Sequence, residues 1–180
     1  MSISILFESH ATTFDNEAKV ASGWNDAKLS PLGLEQAKQM KVRRADENFD
    51  AVFASDVSRS YETAEIAMTG QAVPMIRDAR LRECDYGDFT GRPSVEVEAA
   101  RQFYVDKAFP NGESYRQTSE RMKSFLIGLL ADYNGKRVLI VGHRATQYGL
   151  DQWINHISLE TCVTTPWHWQ PGWEYRLEKI

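Results

Sequence analysis

Three short runs in this chain, SISILFE (2–8), DAVFA (50–54) and RVLIVG (137–142), are apolar at nearly every position rather than at every second one. Strand side chains alternate between two faces, so runs of this kind must be covered on both sides. The intervening stretches supply the covering material. Ser30-Pro31 combines an N-cap with proline at the first helical position, and Leu34, Ala37 and Met40 follow as an apolar stripe. Val57, Tyr61, Ala64 and Met68 repeat at helical spacing after Ser55 or Asp56 as cap. Met122, Phe125, Leu126, Leu129, Leu130 and Tyr133 form a third stripe that Asn134-Gly135 terminates. A further helix is expected from His143 to about Ile154, and a fourth strand around Val73–Ile76. Strand and helix in alternation predict an α/β fold, a three-layer α/β/α sandwich with a mainly parallel central sheet, formed by one domain over residues 1–180.

The remaining composition narrows the class of partner. A net charge of −4 gives no reason to expect nucleic acid. No apolar stretch approaches the roughly 20 residues that cross a bilayer, and the N-terminus has neither a basic head nor a long apolar segment, so neither membrane nor signal peptide is expected. Cys84 and Cys162 lack metal-ligand spacing and fit reduced thiols in a cytoplasmic protein. Cys84 has no positive cluster that would make it a nucleophile. The segment 84–112 is rich in Asp, Gly and Pro and reads as loops around one short helix.

In such sheets ligands bind beyond the carboxyl ends of the strands. Ser9 and His10 follow the first run. Ser55, Asp56 and then Arg59 follow the second, and His143 and Arg144 the third. The fourth strand leads to Arg80, Arg82 and Glu83. Two histidines, several arginines and a glutamate on one rim suit phosphoryl transfer. A neutral imidazole attacks phosphorus, cations hold the phosphoryl oxygens, and a carboxylic acid protonates the leaving alkoxide, with no metal or other cofactor required. Taken singly, each residue has an ordinary structural role open to it; their joint placement carries the reading.

The same residues resemble the histidine phosphatase superfamily, the phosphoglycerate mutase-like fold. That family opens on Arg-His-Gly, then Glu/Gln-Thr and an asparagine three positions later, where this chain reads Ser9-His10-Ala11-Thr12-Thr13-Phe14-Asp15-Asn16. Leu29-Ser30-Pro31-Leu32-Gly33-Leu34-Glu35-Gln36-Ala37, the 55–64 block with Arg59, Leu81-Arg82-Glu83 through Gly87, Gly112-Glu113-Ser114 and Val141-Gly142-His143 match its other blocks in order. The resemblance implies His10 as the phosphorylated nucleophile, Arg59 and His143 in the phosphate pocket, Glu83 as proton donor and Asn16 at the phosphoryl group. It also places the 86–109 segment over the site. A phosphorylated small molecule is the expected substrate.

Ser9 and Ala11 depart from the pattern, and Ser9 removes a guanidinium from a site for a dianion. Arg144, Arg82 or Lys19 is then expected to compensate, with Ser9 and the threonines, Thr13 among them, as further donors. The alternatives are a silent relative that binds a phosphorylated ligand or a protein, and a phosphoglycerate mutase-type transferase. In the tail, Trp167, Trp169, Trp173 and Tyr175 are expected to close the core beneath a last strand, or to wall a pocket and stack on a planar substrate group. His156 and His168 read as structural.

Overall fold

The computed structural model describes residues 2–180. Five strands form one sheet: β1 (Ile3–Ser9), β2 (Ala51–Ala54), β3 (Met75–Arg77), β4 (Arg137–Gly142) and β5 (Trp173–Leu177). Their order is β3-β2-β4-β1-β5, with β5 antiparallel to β1 and every other pair parallel. Seven α-helices accompany them among the described residues: α1 (Phe14–Glu17), α2 (Pro31–Arg43), α3 (Ser58–Ala67), α4 (Ser94–Ala100), α5 (Tyr115–Asp132), α6 (Arg144–Ile154) and α7 (Leu159–Thr164). None is long and apolar enough to cross a membrane.

The wholly apolar strands are buried on both faces, as their composition requires. Ile3, Ile5, Phe7, Phe53, Val138 and Ile140 pack against Met122, Phe125, Leu126, Leu129 and Leu150 of α5 and α6. Leu6, Val52, Ala54, Leu139 and Val141 face Met40, Ala64 and Ala67 of α2 and α3. A further cluster orders the irregular 84–112 segment. Phe109 lies at its centre, stacked on Tyr104 at 4.1 Å and edge-on to Tyr86, Phe89 and Tyr115.

Two local expectations need correction. Leu34 is 42% exposed, and the buried stripe of α2 is Gly33, Ala37 and Met40. Gly33 sits inward because the helix meets the β1–α1 loop there: a Cβ at residue 33 would lie 1.9 Å from the Thr12 carbonyl oxygen. Neither Ser55 nor Asp56 caps α3; the cap position is Val57, which lacks a capping side chain. Ser55 and Asp56 are engaged elsewhere, with His143 and Arg82.

The tail divides between closing the core and walling a pocket. Tyr175 is buried in β5 and Trp173 packs 5.7 Å from Phe7, whereas Trp167 and Trp169 lie outside the strand, against a cavity. The close seat of α2 predicts that Gly33→Ala will lose about 1–3 kcal/mol of stability in urea unfolding, because helix and loop must separate to admit the methyl group.

Candidate active site

Two strand ends make the floor of the site. Ser9 of β1 is in register with Gly142 of β4, and the His10 N–H continues that ladder onto the Gly142 carbonyl at 2.9 Å. His10 and His143 therefore leave neighbouring strands side by side, with ring centroids 5.1 Å apart. The loop after His10 is clamped from both flanking helices. Ala11 N–H donates to Thr63 Oγ1 of α3 at 3.0 Å, and Thr12 N–H to Gln36 Oε1 of α2 at 2.9 Å.

His10 Nδ1 lies 2.7 Å from the Ala11 carbonyl oxygen. Because that carbonyl only accepts, Nδ1 carries the proton and Nε2 keeps its lone pair free. Burial, with help from the Arg59 charge, lowers the imidazole to about 3 against the opposing Ala11 hydrogen bond, so the ring is neutral near pH 7. His143 is held neutral more strongly, first by burial and then by Arg59. Its Nε2 is 2.7 Å from Ser55 Oγ. Ser55 Oγ accepts the Val57 N–H at 3.4 Å and has no other acceptor among the described residues for its own hydrogen, so the hydroxyl donates to Nε2. Nδ1 then bears a hydrogen, and that buried nitrogen has no partner among the described residues.

Arg59, in the first turn of α3, is 2% exposed. Its terminal nitrogens donate to the carbonyls of Asn25 and Gly23 at 2.9 and 2.7 Å rather than to a carboxylate. The charge is therefore aimed but not cancelled, and each terminal nitrogen keeps a second hydrogen. Glu83 is buried as well, and burial raises its carboxyl above the ordinary range despite the Cys84 N–H on Oε1 at 2.7 Å and the nearby Arg59.

The segment bearing Glu83 is pinned from outside the cavity: Trp24 Nε1–H donates to the Glu83 carbonyl at 2.7 Å, and Glu113 binds Arg121 through both carboxylate oxygens. Behind it Gly87, at φ +49°, sits where a Cβ would be 2.0 Å from the Pro110 carbonyl oxygen. Gly112-Glu113-Ser114 is thus scaffolding: Gly112 packs on Gly87, Glu113 braces the segment, and Ser114 caps α5.

All four groups line one cavity of about 660 Å³ together with Ser9, Asn16, Tyr86 and Arg144. Asn16 uses its side-chain oxygen on Thr13 N–H, which leaves the amide NH₂ free. Thr13 does not line the cavity; it is fully buried and its hydroxyl caps α1 by accepting Asn16 N–H.

Of the three candidates to replace the missing guanidinium, only Arg144 reaches the cavity. It is bound to Glu98 of α4, and its Nε is buried without a partner. Arg82 is held by Asp56 in a two-point pair at 2.7 and 2.6 Å and lies over Trp24, while exposed Lys19 is outside the cavity at φ +55°. Sequence reasoning set Ser55 at a strand end and offered it, or Asp56, as a cap without pairing it with His143, and reached Tyr86 only as the first residue of the 86–109 segment expected over the site.

Comparison with known proteins gives the family and the fold. The profile of the histidine phosphatase superfamily, branch 1, matches residues 5–168. The chain is 32% identical over 149 residues to a probable phosphoglycerate mutase, GpmB, of Erwinia tasmaniensis, covering 78% of this chain and 69% of that protein. It is 30% identical over 147 residues to an uncharacterized phosphatase, PhoE, of Bacillus subtilis, covering 82% and 75%. The solved structure of Bacillus stearothermophilus YhfR superposes with a TM-score of 0.82 at 24% identity, covering 94% of this chain and 88% of that one.

The neutral His10 generates a stability prediction. The unfolded chain takes up a proton at this residue near pH 6.5, and the native ring does so only near 3. The unfolded state therefore binds more protons between those values, and native stability falls as the pH drops through that window. His10→Asn should flatten the acid limb by on the order of 1 kcal/mol per pH unit below pH 6, read from urea midpoints at a series of pH values.

Proposed function

The chain belongs to the histidine phosphatase superfamily, and from that premise we propose that it hydrolyses phosphomonoesters through a phosphohistidine at His10. The observation that carries the reading is the pairing of protonation states in one cavity. A neutral imidazole with a free Nε2 stands with a carboxyl group whose burial favours the acid form. A site that only binds phosphate has no use for a carboxylic acid, whereas a phosphotransferase needs one.

In the first step the Nε2 lone pair attacks phosphorus, the bond from phosphorus to the ester oxygen breaks, and the Glu83 carboxyl gives its proton to the departing oxygen. Nδ1–H, held on the Ala11 carbonyl, stabilises the cationic ring that results. In the second step Glu83, now a carboxylate, takes a proton from water as that oxygen bonds to phosphorus and the N–P bond breaks. Inorganic phosphate leaves, and His10 and Glu83 return to their starting forms. The phosphoryl oxygens are held by the free hydrogens of Arg59, His143 Nδ1–H and the Asn16 amide. Such preorganised donors act most strongly where water is excluded. Arg144 supplies the second guanidinium in place of the arginine that Ser9 does not provide, its unpartnered Nε being the free donor.

Ser9 also favours a second reading, a relative that binds a phosphorylated ligand without turning it over. Loss of one preorganised donor costs about 2–4 kcal/mol of transition-state stabilisation, enough to silence a site if Arg144 does not compensate. The mutase name of the Erwinia relative adds phosphoryl transfer between hydroxyls as a variant of the same chemistry.

Phosphate release from a phosphomonoester panel that includes 3-phosphoglycerate, with EDTA present, separates these readings. Turnover that survives EDTA and disappears in His10→Ala is the expected result. Binding without turnover of any ester would leave the silent relative, and isomerised 3-phosphoglycerate without phosphate release would identify the transferase. Glu83→Gln should lower kcat/KM, which reports the first step, by about 100-fold or more on alkyl esters but much less on p-nitrophenyl phosphate, whose leaving group needs no proton. Arg144→Ala should cut kcat/KM by about 100-fold; an unchanged value would remove Arg144 from the pocket.

A further inference from the structure

The cavity does not end at the reacting atoms. From His10 it continues past Ser9 and Glu8 into a cleft between α2 and the 165–172 loop, lined by Gln39, Met40, Arg43, Trp167 and Trp169. Ser9 is among the residues that line it. The two ends of the cleft are fixed by contacts. Gln36 holds Thr12 beside the reacting histidine, and Arg43 binds Glu8 at 3.1 and 3.3 Å. Seven residues of helix separate them, a rise of about 10 Å. That length accommodates a ring carried on a small linking unit beyond the phosphoryl group.

The far end has the chemistry of a ring-binding shelf. Trp167 is immobilised, donating Nε1–H to Gln147 Oε1 at 2.7 Å and lying 5.8 Å from Trp173 at 33°. Trp169 is 58% exposed, and its ring faces the Arg43 guanidinium at 5.9 Å. Arg43 Nε is buried with no partner among the described residues. Rigid aromatic surface beside an unused donor suits a planar group with acceptor atoms on its edge. Arg43 shares the Glu8 carboxylate with Arg44, so its hydrogen-bonding capacity is partly used and its Nε is the donor left over.

We propose that this cleft seats a planar heteroaromatic group of the substrate, so that the preferred ester is of the nucleoside monophosphate kind rather than a small sugar or glycerol phosphate. The proposal rests on the assignment of the phosphoryl group to His10 and deepens it by naming the class of ester that the cleft selects. Trp169 acts by stacking, and Arg43 by donating to the ring edge.

Two measurements test this. Calorimetric titration of His10→Ala with adenosine 5′-monophosphate and with glycerol 3-phosphate should give at least about tenfold tighter binding of the nucleotide, the range expected for one base stacked on an aromatic side chain. Trp169→Ala in the same background should shrink that ratio about tenfold, and Trp169→Phe should restore most of it. In the otherwise unaltered enzyme, Trp169→Ala should lower the ratio of kcat/KM for the two esters by a similar factor, mainly through KM for the nucleotide. Equal affinity for the two ligands, or a Trp169→Ala effect that is the same for both, would overturn the proposal. If no ester is turned over, the phosphatase reading falls while the titration still decides the occupant of the cleft.

Discussion

The register between β1 and β4 is the constraint on which the site depends. Ser9 opposite Gly142 puts the next residue of each strand, His10 and His143, at the same height on adjacent strands. A slip of one residue would turn the side chains of β1 to the other face, moving the Ile3, Ile5 and Phe7 set out of the α5–α6 layer. The packing that fixes the register therefore also fixes the histidine pair. The same layers enclose His143 and partly enclose His10, and burial favours the neutral form of each ring.

Burial creates the second feature of the site, an isolated positive charge. Arg59 is almost wholly enclosed and bonded only to carbonyl oxygens, so its charge is left for an anion. The neighbouring carboxyl, Glu83, is enclosed too, and desolvation outweighs the attraction of Arg59 and holds it towards the acid form. A pair of opposite charges in the same place would cancel and leave nothing for substrate. The arrangement instead leaves the guanidinium charge uncancelled and shifts the carboxyl towards its neutral form.

Much of this was legible in the linear chain. The wholly apolar runs announced strands covered on both faces, and Ser30-Pro31 marked the start of α2 at its observed residue. The position of polar residues directly after those runs located His10, Arg59, Glu83 and His143 on one rim, since strand ends in a parallel sheet point to one side. Less was legible where a residue's partner comes from far along the chain. Ser55 looked like a helix cap because capping is local, yet its hydroxyl serves His143, 88 residues away. Thr13 looked like a ligand donor because it stood in the motif, yet its own turn consumes it. Leu34 belonged to an apolar stripe, but the close approach of helix and loop gave the inward position to Gly33.

The sequence by itself determined the layers and the kinds of group at the strand ends, because side-chain periodicity and strand composition follow from backbone geometry alone. Only the tertiary structure decided which groups are free to act. Arg82, Arg144 and Lys19 are equivalent as letters near a motif. Packing ties Arg82 to Asp56, leaves Lys19 outside and brings Arg144 into the cavity wall. The same is true of the tryptophans, where β5 draws Trp173 onto the core and Trp169 is left beside Arg43. Protonation was likewise beyond the sequence: burial pushes the histidines down and the glutamate up, and how much protein surrounds each is a quantity that exists only once the chain has folded.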